Sequence, residues 1–381
     1  MRSFEGIKRI VIKIGSSSLV KKNLSINEPM LVGIMQSLKK IIDNGYEVAL
    51  VTSGAIAIGM HALGLTKKPS DMAIKQACAA VGQAKLMEAY NKAAGIYELK
   101  TGQILLNHDD FQIRKRMNYL SQTLSAMFDN GIIPIINEND ALAVEEIKVG
   151  DNDTLAALIA PMINADLLIL FSDIDGLFNK NPKLYNDAIM LDTVDNIDDE
   201  ILSMIGDATT NIGTGGMITK INAAVIATMA GCNMIICNSN KIGEIPEIIN
   251  GEEIGTLFKA KRQISSLEHF IIFRTNSLGT IIVDDGLAKK LLGDQKVSIL
   301  PKGIIDVKGS FLENSIVEIR DNYNNLLAKG ICKYSSDEVR LLSGHNTKDI
   351  DTILGYHGKK EIIHANDLVV IREKIYERFI K

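Results

Sequence analysis

Short apolar runs alternate with longer amphipathic stretches over the first two thirds of the chain. The runs are rich in β-branched residues and nearly free of polar positions, which is typical of strands buried on both faces of a sheet. Between them apolar residues recur every three or four positions, which predicts helices. We expect strands at residues 8–14, 48–51, 102–106, 132–137, 166–171 and 233–237. We expect the main helices near residues 27–44, 70–95, 116–130, 153–164 and 217–230.

This alternation predicts βαβ units, and hence an α/β fold in which helices cover both faces of a mostly parallel sheet, as a three-layer sandwich. The pattern changes after about residue 260, where shorter apolar runs are separated by glycine-containing turns. Regularly spaced short strands predict a small β-rich domain or barrel. We therefore divide the chain into an α/β domain over 1–260, a linker over 261–276, and a β domain with a C-terminal extension over 277–381. The extension is expected to form a strand or a helix.

The composition narrows the class of protein. The 381 residues are 46% hydrophobic and 23% charged, close to the globular average, and the formal net charge is −4. A negative net charge argues against a protein whose main task is to bind nucleic acid. No apolar run reaches the roughly 18 residues of a membrane span, and basic residues interrupt the first run, which argues against a signal peptide. A cytoplasmic protein with four reduced, buried cysteines is the expectation, because no C-x-x-C pair occurs.

Small and polar residues cluster where the predicted strands end. They are Lys13, Gly15, Ser53, Gly54, Asn137, Glu138, Asn139, Asp140, Asp151, Asn152, Asp153, Ser172 and Asp173. Ligands of open parallel sheets bind beyond the carboxyl ends of the strands, so this edge is the expected site. Asp151 and Asp153 are equally typical of an ordinary helix cap when each is taken alone.

A glycine-rich turn leads directly into the last predicted helix of the α/β domain. It reads Gly213, Thr214, Gly215, Gly216, Met217, Ile218, Thr219, Lys220. Free N–H groups and the positive end of the helix dipole suit phosphate, although the pattern is not a Walker A loop. The alternative is a glycine turn followed by a solvated lysine. Together with Lys13 on a separate strand, Lys220 favours phosphoryl transfer, because that reaction requires neutralisation of the charge on the transferred group.

These motifs resemble the amino-acid kinase family, and within it the glutamate 5-kinases. The resemblance rests on residues 11–17, 51–55, 137–140, 150–153, 170–177 and 213–220. Residues 278–357 are similar to the PUA domain, an RNA-binding β-barrel module. The resemblance implies the amino-acid kinase fold and ATP-dependent phosphorylation of the glutamate side-chain carboxylate to glutamyl 5-phosphate, the first step of proline biosynthesis. The alternatives are the same fold acting on aspartate or N-acetylglutamate, and an RNA-binding protein with an inert kinase-like domain.

The resemblance also implies a role for each motif. Lys13 and Lys220 would contact the ATP phosphates and stabilise the transferring group, while Asp153 would orient both lysines. Glutamate would be held by Ser53, Gly54, Asp140 and Asn152. The nucleotide site would further include Gly15, Ser172, Asp173, Thr214, Gly215, Gly216, Met217, Ile218 and Thr219. Mg²⁺ would bridge the ATP phosphates, and no residue is predicted as its direct ligand.

The chemistry and the expected partners follow from the same resemblance. The nucleophile would be the substrate carboxylate, which is ionised at pH 7, so no general base is required. The family implies a homo-oligomer, inhibition by proline and a glutamyl phosphate reductase partner. Glu313, Asn314 and Ser315 stand where a PUA domain usually has a Gly-Asp turn. This departure and the near-neutral tail argue against RNA binding and favour a structural or regulatory role for the tail.

Overall fold

The chain forms two compact units, Met1–Gln263 and Ile264–Lys381. The structure is a computed structural model, and it describes residues 1–4, 6–107, 110–111, 113–142, 152–204, 216–261, 266–273, 277–293 and 295–371. Each unit has its own sheet, and in each unit a cluster of buried apolar side chains packs against that sheet.

An eight-stranded sheet forms the centre of the first unit, counted over the described residues. Its strands are β1 Arg9–Ile14, β2 Glu47–Val51, β3 Lys100–Leu106, β4 Ile132–Glu138, β5 Leu167–Ser172, β6 Thr193–Val194, β7 Asn233–Asn238 and β8 Thr256–Phe258. Their order is β3-β4-β2-β1-β5-β7-β8-β6, and every pair is parallel except β7 with β8. The predicted α/β class with a mostly parallel sheet is confirmed.

Helices cover both faces of this sheet. They are α1 Ser16–Leu19, α2 Glu28–Asp43, α3 Ala55–Ala62, α4 Met72–Gly95, α5 Arg114–Asp129, α6 Asn152–Met162, α7 Asp199–Met204, α8 Met217–Met229 and α9 Ile245–Ile249. Ile10, Ile12 and Ile14 of β1 pack towards α2, α4 and α9. Since side chains alternate along a strand, Lys13 points to the opposite face, where α6 and α8 pack against each other.

Two glycines bring α3 and α4 into backbone contact. A Cβ atom on Gly59 would lie 1.8 Å from the carbonyl oxygen of Cys78, and one on Gly82 would lie 1.8 Å from that of Ala55. Any side chain at either position would force the helices apart. The contact places Gln83, the residue after Gly82, beside the start of α3.

A separate five-stranded sheet forms the second unit, again over the described residues. Its elements are α10 Ser266–Phe273, β9 Gly279–Val283, α11 Asp285–Leu292, β10 Ile304–Gly309, β11 Ile316–Arg320, β12 Leu326–Ile331, α12 Ser336–Leu342, α13 Ile350–Leu354 and β13 Leu368–Val370. The strand order is β10-β9-β11-β12-β13. Four short 3-10 helices complete the described chain, at Ser239–Glu244, Pro301–Gly303, Thr347–Asp349 and Ala365–Asp367.

Two segments of the second unit differ from the pattern expected from the sequence. The segment 261–276, expected as a linker, contains α10, because the apolar residues Phe270, Ile271 and Ile272 are buried. Residues 297–300, one of the short apolar runs after residue 260, form only an isolated bridge between Ile299 and Ile363 rather than a strand.

The four cysteines are buried and free, as the sequence predicts. Burial raises the pKa of the Cys232 and Cys237 thiols, so both remain protonated at neutral pH. No helix in the described part of the chain has the length and apolar character needed to cross a membrane.

Candidate active site

Lys13, Asp153 and Lys220 form a buried ion cluster near the carboxyl end of the central strand. Lys13 Nζ lies 2.5 Å from Asp153 Oδ1, and Lys220 Nζ lies 3.0 Å from Asp153 Oδ2. All three residues are less than a tenth exposed. Strand β1 provides one lysine, the first turn of α8 the other, and the first turn of α6 the carboxylate. The structure thus brings together the three residues that the sequence predicts as catalytic.

The cluster carries an excess of positive charge. Burial alone would raise the pKa of Asp153, but the charges of Lys13 and Lys220 outweigh burial, and the pKa lies below its ordinary value. Asp153 is therefore ionised at neutral pH. Two ammonium groups and one carboxylate leave one positive charge in a site that excludes most water, where electrostatic attraction to an anion is strong. The cluster is suited to bind phosphate.

The segments beside the cluster contain further predicted residues. A Cβ atom on Gly15 would lie 3.8 Å from Lys13 Nζ, so this glycine borders the cluster. Gly216 is the N-cap of α8, and its carbonyl oxygen accepts a hydrogen bond of 2.8 Å from the Thr219 hydroxyl. The same hydroxyl lies 3.4 Å from Asp153 Oδ2. Four residues of the expected site, Asp151, Gly213, Thr214 and Gly215, lie outside the described residues.

A cavity of about 370 Å³ opens between the segment that follows β5 and the start of α8. Residues that line it include Asp173, Asp175, Phe178, Lys180, Lys183 and Met217. Asp173 and Met217 are among the residues predicted for the nucleotide site. Ser172 is buried beneath the loop, and its hydroxyl accepts a 3.2 Å hydrogen bond from the backbone N–H of Ile174. Ile218 is 43% exposed and is not among the residues that line this cavity.

A chain of side-chain amides links the residues predicted to hold the substrate. Asn152 Nδ2 donates to Ser53 Oγ at 2.7 Å and to Asn137 Oδ1 at 3.2 Å. Asn137 Nδ2 in turn donates to Gln83 Oε1 at 2.9 Å. We call these four residues the amide relay. Asn152 Oδ1 and Gln83 Nε2 are buried and have no hydrogen-bond partner in the described structure.

Gly54 connects the relay to helix α3. Its φ of +103° lies in the left-handed region, and a Cβ atom there would come within 3.0 Å of Val20 Cγ2. Both features favour glycine at this position. A cavity of about 310 Å³ adjoins the next residue, Ala55, and Gln83, Glu138 and Asp140 also line it. Asp140 and the relay residue Gln83 therefore share one cavity.

Three polar residues near this site have no role in the sequence-based prediction. Asn137 is among the polar residues expected where the strands end, but the sequence gives it no specific role. Gln83 lies in the alanine-rich helix α4, where its partner is visible only in three dimensions. The Tyr90 hydroxyl contacts the hydroxyl of Thr52 at 2.9 Å within the core, and Thr52 directly precedes Ser53 in the chain.

Two regions of the chain match known protein families. Residues 8–238, more than half of the chain, match the amino acid kinase family. The chain belongs to the amino acid kinase family. Residues 279–354 of this amino acid kinase match the PUA domain.

Curated relatives place the chain with the glutamate 5-kinases of that family. The glutamate 5-kinase of Caldanaerobacter subterraneus is 44% identical over 364 residues, covering 95% of this chain and 98% of the relative. That of Thermoanaerobacter pseudethanolicus is 42% identical over 364 residues, with coverage of 95% and 98%. That of Haemophilus influenzae is 39% identical over 366 residues, with coverage of 96% and 99%.

Proposed function

We propose that the protein transfers the γ-phosphoryl group of ATP to the side-chain carboxylate of glutamate, forming glutamyl 5-phosphate and ADP. The buried cluster of Lys13, Asp153 and Lys220 is the observation that carries this proposal. The cluster adjoins two kinds of site. Asn152, next to Asp153 in the chain, belongs to the amide relay, and Met217, in the same helical turn as Lys220, lines the cavity beside β5.

The reaction needs positioning and charge neutralisation rather than a base. A glutamate side chain is ionised at neutral pH, so its oxygen can attack the γ-phosphorus without first losing a proton. A new O–P bond forms while the bond from the γ-phosphorus to the bridging oxygen breaks, and ADP leaves with that oxygen. Lys13 and Lys220 stabilise the charge spread over the transferring group, and Asp153 holds both lysines in place.

The remaining predicted residues fall on two sides of the cluster. On the nucleotide side we place Gly15, Ser172, Asp173 and the start of α8. On the substrate side we place Ser53, Gly54, Asp140 and Asn152. A carboxylate and an amide oxygen suit the ammonium group of an amino acid, and the hydroxyl and backbone N–H groups beside α3 suit its carboxylate.

Mg²⁺ is expected to accompany ATP, as is typical of kinases. Within the described residues, no three His, Cys, Asp or Glu side chains come together as a metal site. The buried carboxylate of Asp153 is already engaged by two lysines. These residues do not form a protein cage for a divalent ion, and we expect the phosphate oxygens of ATP to hold it.

An assay of ADP release with three acids tests the proposal. Glutamate should support turnover well above the rates with aspartate and N-acetylglutamate. Lys220→Ala should lower kcat by well over tenfold, because it removes positive charge from the transition state. Lys92→Ala is the matched control, since it removes a lysine from an ion pair with Glu88 that lies at the surface. A rate with glutamate no higher than background would refute the proposal.

Membership of the family leads us to propose further properties. We expect a cytoplasmic homo-oligomer that is inhibited by proline and passes its labile product to a glutamyl phosphate reductase. For the tail we favour a structural or regulatory role over RNA binding. Light scattering for the oligomer, the ADP assay with added proline, and RNA titration at several salt concentrations test these points.

A further inference from the structure

We propose that Gln83 is a positioning residue for the substrate. It fixes the orientation of the Asn152 side chain through Asn137, and so leaves the Asn152 oxygen free to accept a hydrogen bond from the substrate ammonium group. This inference rests on the proposed function, because it identifies a residue that tunes recognition of the amino-acid substrate.

The proposal rests on the direction of each hydrogen bond in the relay. A side-chain amide has a donor end and an acceptor end, so fixing one end fixes the other. Gln83 Oε1 can only accept, and it accepts from Asn137 Nδ2 at 2.9 Å. The Asn137 oxygen must then face Asn152, whose nitrogen donates to it at 3.2 Å. Because the Gln83 oxygen faces Asn137, we infer that Gln83 sets the polarity of the relay.

The far end of the relay is where this polarity matters. With its nitrogen directed to Asn137 and Ser53, Asn152 presents Oδ1 as an acceptor, and that oxygen is buried without a partner in the described structure. A buried acceptor without a donor is destabilising, so a ligand that supplies an N–H group gains by filling the position. An ammonium group supplies it. A reversed Asn152 would oppose that ammonium group with its own N–H groups.

The fold holds Gln83 firmly enough for this role. Gln83 is 8% exposed, and it follows Gly82, where α4 contacts the backbone of α3. Gln83 also lines the 310 Å³ cavity together with Asp140. The same side chain therefore lies beside one group predicted to bind substrate and controls another.

Replacement of Gln83 by methionine tests the inference, because it keeps the length of the side chain and removes the acceptor. We expect Gln83→Met to raise the KM for glutamate roughly ten- to a hundredfold, and to leave the KM for ATP within about twofold. Gln83→Glu retains an acceptor oxygen and should stay closer to wild type than Gln83→Met. The matched control is Gln36→Met, an exposed position on α2, which should change neither constant.

A second variant removes the dependence of the relay on Gln83. In Asn137→Asp both oxygens of the new carboxylate accept hydrogen bonds, so Asn152 keeps its orientation whatever stands at position 83. Adding Gln83→Met to this background should change the KM for glutamate by less than about threefold, well below its effect in the wild-type background. If Gln83→Met alone does not fold, Gln83→Ala, which also lacks the acceptor, replaces it in both backgrounds and measures the same coupling.

Measuring glutamate binding as well as turnover distinguishes failure of this inference from failure of the proposed function. Calorimetric titration of glutamate accompanies the kinetics, so binding is measured even if turnover is absent. A wild-type protein that binds glutamate but does not phosphorylate it refutes the proposed function alone. An unchanged KM and Kd for glutamate in folded Gln83→Met, or an equal rise in KM for both substrates, overturns the positioning role.

Discussion

Replacing Asp153 by asparagine tests whether the carboxylate holds the two lysines in place. The change preserves the shape of the side chain and removes one negative charge. Lys13 and Lys220 then remain buried, with no carboxylate at 2.5 Å and 3.0 Å. Since Asp153 is 1% exposed, water has little access to solvate the two ammonium groups in place of the carboxylate.

The expected loss of stability is large for a single substitution. Removing one partner of a buried ion pair costs about 3–5 kcal/mol, because the remaining charge stays buried without the carboxylate that stabilised it. For a unit of this size, such a loss lowers Tm by on the order of 10 °C. We also expect kcat to fall at least about tenfold, because both lysines lose the group that fixes their position.

Calorimetry with and without a non-hydrolysable ATP analogue distinguishes this cause from general damage. Phosphates bring negative charge to the two lysines and so replace part of what the variant lacks. The analogue should therefore raise the Tm of Asp153→Asn by more than it raises the Tm of the wild type at saturating concentration. Equal increments in the two proteins, or a kcat near wild type in the variant, would refute the electrostatic role of Asp153.

The pH dependence gives a second test, whose sign follows from the lowered pKa of Asp153. The folded protein binds the proton less readily than the unfolded chain does. The stabilisation from Asp153 is therefore complete above the ordinary carboxyl pKa of about 3.9 and is lost as pH falls through the lower folded value. The difference in unfolding free energy between wild type and Asp153→Asn should be constant between about pH 5 and 8 and should narrow below about pH 4. A difference that changed near neutral pH would implicate another group.

Three further substitutions test two residues proposed to hold glutamate and one hydrogen bond in the core beside them, by enzyme kinetics or by stability. Asn152→Ala should raise the KM for glutamate more than the KM for ATP, and equal changes would contradict its place at the substrate. Gly54→Ala should lower the unfolding free energy by about 1–2 kcal/mol and weaken glutamate binding, because its φ is +103°. Gly95→Ala, at the end of α4 with no atom within 4 Å of the added Cβ, is its control and should not destabilise the protein. Tyr90→Phe leaves the buried Thr52 hydroxyl without its 2.9 Å partner and should lower Tm, whereas an unchanged Tm would show that this bond is dispensable.

The strands and the charged part of the candidate site could be predicted because their causes are local in the sequence. A strand buried on both faces must be a continuous apolar run, and each of the six expected in the α/β domain corresponds to an observed strand. Lys13 interrupts such a run, which marks it as unusual. The rule that ligands bind at the carboxyl ends of parallel strands placed Lys13 and Asp153 at one edge, and the glycine-rich turn pointed to Lys220. The structure finds both lysines in contact with Asp153.

The amide relay could not be predicted, because its causes are not local. Gln83 lies more than fifty residues from Asn137, and only the fold of the chain brings the two side chains together. A glutamine in an alanine-rich helix is, by itself, typical of a solvent-facing position. Helix α10 was missed for a different reason. Leu267, Phe270 and Ile271 have helical spacing, but the segment has only eight residues, which is too short for periodicity alone to predict a helix.

The first turn of α6 fixes the substrate side of the site relative to the ion cluster. Asn152 and Asp153 are consecutive, and consecutive side chains of a helix point about 100° apart. One therefore turns to Ser53 and Asn137, and the other to the two lysines. A shift of α6 by one residue would lose both sets of contacts together. The groups proposed to bind the nucleophile and those proposed to neutralise the phosphoryl group are thus held in fixed relation by one peptide unit, as in-line transfer requires.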